Sequence, residues 1–181
     1  MVLSATWTTW PSSLLEYDRH AIIHGELWRL WTGHLAHWSA QHALVDLACV
    51  LVAGSIAMQY HGARRTGCAL LLGAPFISLG LLVLAPALQR YRGASGIAVL
   101  LAVVALAALW RQAQGANGLR ALLAVMALAL AGKIAAEAWG AALGWSDLPP
   151  DVAVAWQAHL LGALAGTISL YTIRRRPRAA A

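Results

Sequence analysis

The chain has 181 residues, 60% of them hydrophobic and only 11% charged, with a formal net charge of +6. This length suits one domain, and so apolar a composition excludes a water-solvated globule and points to a lipid-solvated bundle. The basic balance does not imply nucleic acid, because the arginines lie scattered between apolar segments, where they set membrane topology.

The first segment, "MVLSATWTTWPSSLLEYDRHAIIHGELW", holds no apolar run of spanning length, and Pro11, Glu16 and Asp18 interrupt it. It lacks the basic start and small-residue cleavage site of a signal peptide. Residues 1–27 are expected to lie at the interface or to be the remnant of a shortened first helix, with Trp7, Trp10 and Trp28 at headgroup level. Five spans follow, near Ala43–Tyr60, Gly67–Leu88, Ala94–Trp110, Leu119–Leu143 and Val152–Ile173. Their connections, "HGARRT", "QRYRG", "RQAQGANGLR" and "GWSDLPPD", are short and carry breakers or charge. Cys49 and Cys68 sit in apolar surroundings without ligand or disulfide spacing. The expectation is an all-α polytopic membrane protein of one domain, 1–181, with a core over 28–173 and a basic tail over 174–181.

If the spans alternate, Arg64, Arg65, Arg111, Arg120 and the terminal Arg174, Arg175, Arg176 and Arg178 share one side. Arg19, Arg29, Arg90, Arg92, Asp147 and Asp151 share the other. The richer side is expected to be cytoplasmic, which puts the start of the third span at the outer face.

Ionisable residues inside spans are expensive and therefore functional candidates. One group is His34, His37, His42 and Asp46; His42 and Asp46 are four apart and can share a helix face. Helix-start packing and a metal or haem site are the alternatives for it. Lys133 and Glu137, also four apart, are expected to neutralise one another locally. His159 precedes Gly162 and Gly166, a small-xxx-small face that permits close helix approach. The tetrapeptide Gly93-Ala94-Ser95-Gly96 opens another helix, on which Ser95, Ala98, Ala102 and Ala105 share one side. Packing these two small faces together would carry Ser95 toward His159. An imidazole beside a serine can take its proton during attack and return it to a leaving amine. A helix N-terminus at Ser95 would favour a developing oxyanion, and Gly93 and Gly96 leave room for a substrate backbone.

In order and placement, "ELWRLWTGHLAH", "HWSAQHALVD", "GASG" and "AHLLGALAG" resemble the rhomboid family of intramembrane serine proteases. The resemblance implies Ser95 as nucleophile, His159 as general base, and His42 and Asp46 lining the oxyanion site with the Ser95 N–H. It implies that His37 organises the first loop and that Trp28 and Arg29 anchor that loop in the membrane interface. It calls for no metal or cofactor. The wording "RLWTGHLAHWSAQH" is most similar to the bacterial rhombosortase branch. That branch implies inner-membrane localisation and membrane-anchored protein substrates with a Gly-Gly motif, a helix and a basic end. Cleavage would occur near the periplasmic face, with the C-terminus cytoplasmic.

The chain departs from the family pattern in three places. Asp46 stands where the pattern has Asn, and an ionised carboxylate cannot donate to an oxyanion, although a protonated one could. Val99 stands where many rhomboids stack an aromatic ring on the histidine, and the first membrane helix is short or absent. A catalytically silent helix-binding relative is the main rival expectation; a transporter or redox carrier built on the His/Asp group is another.

Overall fold

Breakers in the sequence set the helix boundaries. Ser39 caps α4 (Ala40–His61), its hydroxyl oxygen accepting the His42 N–H at 3.1 Å. Gly62, at φ +80°, then turns the chain into α5 (Ala63–Leu84). After α5 come α6 (Ser95–Gln112), α7 (Asn117–Ala138) and α8 (Trp156–Thr172). The computed structural model describes residues 11–141, 148 and 152–172. Trp7, Trp10, Asp147, Asp151 and the basic tail lie outside the described residues.

Four of these helices, α4 to α7, are long and apolar enough to cross a membrane. The last expected span is non-helical at its start, from Val152 to Ala155, and helical over the 17 residues of α8. By length, four spans are counted among the described residues, and the fifth expected span is described only as far as Thr172. Leu44, Leu51, Leu72, Val83 and Leu128 are exposed on the bundle's outside, the pattern of a surface solvated by hydrocarbon. This is a multi-pass membrane protein.

Helix α6 forms the centre. Leu100, Leu101, Val104, Ala105 and Ala108 are buried along it, while α7 buries only Leu123 and Glu137. Helix α8 lies against α6 through its glycines. A methyl on Gly162 would overlap the Gly96 carbonyl oxygen, and one on Gly166 would sit 2.7 Å from the Leu100 carbonyl oxygen. The row of α6 that meets these glycines is Gly96, Leu100 and Val103, not the expected Ser95, Ala98, Ala102 and Ala105. Glycines on one helix suffice, because the atoms they admit from α6 are largely backbone carbonyls and not small side chains.

The segment before α4 is ordered by its own polar contacts. It holds α1 (Pro11–Leu15), β1 (Tyr17–Asp18), α2 (Arg19–Ile23) and α3 (Arg29–Thr32). Strand β1 pairs antiparallel with β2 (Arg90–Tyr91), Tyr17 opposite Tyr91. Buried Arg29 is the brace of this block: Nη1 donates to the Ser13 and Glu16 carbonyls, both at 2.8 Å, and Nε to the Glu26 carboxylate at 2.7 Å. Glu16 in turn accepts from Arg92 Nε at 2.7 Å, tying the block to the loop ahead of α6. One contact mends a backbone defect. Pro75 inside α5 has no N–H for the Leu71 carbonyl four residues back, and the Trp31 indole N–H donates to that carbonyl at 2.9 Å.

Candidate active site

Four elements converge on the Gly93–Gly96 tetrapeptide. From the N-terminal side, the Gly33 carbonyl accepts the Gly93 N–H at 3.3 Å. From α4, Asp46 Oδ2 accepts the Ala94 N–H at 2.7 Å. The same oxygen lies 3.3 Å from Nε2 of His37 and 3.3 Å from Nε2 of His42. Asp46 thus faces one backbone donor and two imidazoles, and the Ala94 N–H is shared with His37 Nε2 at 3.4 Å, so that α4 and its entry loop are tied to the segment ahead of Ser95. Gly93 is required there: its φ is +141°, and a Cβ would lie 3.0 Å from the His42 ring and 3.2 Å from Asp46 Oδ2.

Tyr91, the last residue of β2, completes the cradle, and nothing in the sequence spacing singled it out. Its buried hydroxyl donates to the Gly93 carbonyl at 2.8 Å. Burial pushes this phenol well up, against a side-chain hydrogen bond with Ser95 that pulls the other way, so it remains a neutral donor and acceptor beside the serine. The aromatic at position 91 between two arginines was the available signal.

Ser95 is the first residue of α6 and is half-buried. The next residue, Gly96, abuts the carbonyl of Ala158 immediately before His159; a Cβ on Gly96 would be 2.9 Å from that oxygen. The first turns of α6 and α8 are therefore in backbone contact, and they set Ser95 and His159 at the same end of the bundle. His42, Asp46 and His37 come to that end from α4 and its entry loop. Trp28 and Arg29 do not reach it. Trp28 is exposed and donates its indole N–H to the Leu14 carbonyl at 3.3 Å, while Arg29 is buried inside the N-terminal block.

His159 has a partner that spacing alone concealed. Its Nδ1 lies 2.6 Å from Oε2 of Glu137, reached from the last turn of α7. The Lys133–Glu137 pair forms as their spacing implies, but it does not close on itself: one carboxylate oxygen takes Lys133 and the other takes His159. Glu137 ends one span and His159 begins the next, which is the signal that their distances from the helix ends supplied. Val99 is a buried aliphatic, and among the described residues no ring stacks on His159. A cavity of about 790 Å³ opens at this end between the α5–β2 loop, the end of α7 and residues 152–157, with Glu137 in its wall.

No curated protein matches the chain. A family model of the rhomboid domain matches residues 24–176, which takes in the α4 cluster, the serine loop and the histidine of α8. The chain belongs to the rhomboid family, whose members are generally intramembrane serine proteases.

Proposed function

We propose that this protein is an intramembrane serine endopeptidase in which Ser95 is the nucleophile and His159 the general base. The observation that carries the reading is the backbone contact of Gly96 with Ala158, which seats the two residues on touching helix starts. His159 accepts the Ser95 proton as the hydroxyl oxygen attacks the scissile carbonyl, then delivers it to the departing amine. N–H groups at the start of α6, that of Ser95 first, receive the oxyanion. Asp46, His42 and His37 hold Gly93 and Ala94 in place, so that those N–H groups are aimed before substrate arrives.

Substrates are membrane-anchored proteins, of the kind carrying a Gly-Gly motif, a helix and a basic end. The protein sits in a bacterial inner membrane with this end outward, Arg64 and Arg65 on the cytoplasmic side and the tail beyond α8 with them.

A serine-directed fluorophosphonate tests the chemistry. Wild-type protein in detergent or lipid is expected to be labelled, and Ser95→Ala and His159→Ala are each expected to lose the label. Equal labelling of wild type and Ser95→Ala would remove Ser95 from its role. For substrate class, a reporter with a Gly-Gly tail is expected to be cleaved in proteoliposomes, and one with the glycines replaced by valine is not; equal cleavage of both would reject the sorting-tail assignment.

A further inference from the structure

We infer that Glu137 is the third member of the reacting group, a positioning residue that holds His159 for proton transfer. The inference rests on the Ser95–His159 reading above. Its own evidence is the 2.6 Å contact between Glu137 Oε2 and His159 Nδ1, with the two side chains only 1% and 6% exposed. A carboxylate only accepts, so Nδ1 carries the proton and the lone pair is placed on Nε2, the nitrogen left for the serine. The arrangement answers two needs of a base in a membrane. It fixes the ring, which has no aromatic neighbour stacked upon it among the described residues. It also places a negative charge against the imidazolium that forms when the Ser95 proton arrives.

The step balances without moving a proton to the acid. The Ser95 Oγ–H bond breaks, Nε2 gains the proton, and Oγ forms its bond to the substrate carbonyl carbon. Glu137 stays ionised throughout, and the proton leaves on the amine when the peptide C–N bond breaks. Lys133 has a defined place in this scheme: it balances the carboxylate from the second oxygen, so that an acid can lie at the end of a lipid-facing helix. Because Glu137 comes from α7, a helix with little other burial, the acid is brought by a different element from either reacting residue.

Fluorophosphonate inactivation separates binding from proton removal, since its rate at saturation (kinact) needs the base and its half-saturation concentration (KI) does not. Glu137→Gln is expected to lower kinact by roughly 10²–10⁴-fold with KI within about twofold of wild type. Glu137→Asp, which keeps the charge, is expected to recover at least about tenfold of that loss. Thermal unfolding of each variant accompanies the kinetics, and the loss of kinact is expected in protein whose melting is close to wild type. Glu137→Gln that keeps kinact within about threefold would overturn the assignment. So would Gln and Asp variants whose losses are equal and follow their melting temperatures. Wild-type protein that is labelled independently of Ser95 would instead overturn the Ser95–His159 reading, so the two failures are distinct.

Discussion

Among single side chains, Asp46 ties α4 to the serine loop by accepting the Ala94 N–H, with the imidazoles of His37 and His42 beside the same oxygen. Removing it takes away the nearer of the two acceptors of the Ala94 N–H and leaves only His37 Nε2 at 3.4 Å, which costs about 1 kcal/mol. Asp46→Ala is therefore expected to lower unfolding stability by that amount and to slow fluorophosphonate labelling, because the loop that carries Ser95 loses its tether. Asp46→Asn keeps an acceptor oxygen for Ala94 and is expected to fall between the two; Asp46→Ala with wild-type unfolding would reject the tether. The sequence showed Asp46 as a departure from an expected amide and raised the question of how a carboxylate could donate. In the structure its Oδ2 accepts, from the Ala94 N–H. That could not be read from spacing, which relates residues along one helix, whereas Asp46 and Ala94 are 48 positions apart. Glu137 escaped for the same reason. Its four-residue partner Lys133 was visible, and its partner on the next helix was not.

At the scale of elements, the contact of α6 with α8 decides whether the serine and histidine meet. Gly162→Ala would drive a methyl into the Gly96 carbonyl, with an overpacking cost of about 1–3 kcal/mol. Labelling of Ser95 is expected to be lost with it, since the helices must separate at the level of the reacting residues. Gly132 on α7 is the control: a Cβ there meets nothing within 4 Å, and Gly132→Ala is expected to change stability by no more than about 1 kcal/mol. Equal effects of the two substitutions, read by thermal unfolding and labelling, would reject the close-packed contact as the determinant. The glycines of α8 were legible as a packing face because they recur every four residues. The facing row on α6 was not, because a carbonyl can fill a glycine groove whatever side chain it carries, and the small residues at 98, 102 and 105 are not needed for that contact.

For the whole molecule, the long helices were legible because their apolar runs end at glycine, proline or charge, while the N-terminal block was not. Its order comes from Arg29, Glu16, Thr32 and His34 reaching across tens of residues, and no periodicity records such contacts. His34 also makes this docking pH-dependent. Its ring lies 3.1 Å from the Ala74 carbonyl oxygen and 3.1 Å from Ser78 Oγ on α5. Burial lowers its pKa from 6.5 to about 4, opposed by the hydrogen bond to Ala74. The unfolded chain takes up this proton first, so the contribution is complete above pH 6.5 and is lost as pH falls toward 4, amounting to about 3 kcal/mol. Unfolding in micelles is expected to show this loss in wild type and a shallower one in His34→Gln, whose amide can still donate to α5; identical slopes would exclude His34 as the source. The bond from Trp31 to Leu71 has a consequence of another kind, in the order of synthesis. Alone in hydrocarbon, α5 would carry one bare carbonyl above Pro75, a penalty of several kcal/mol. The indole that relieves it belongs to a segment translated earlier, so the donor is already present when its acceptor enters the membrane. A chain in which the preceding segment fails to dock is left with that carbonyl bare inside the bilayer.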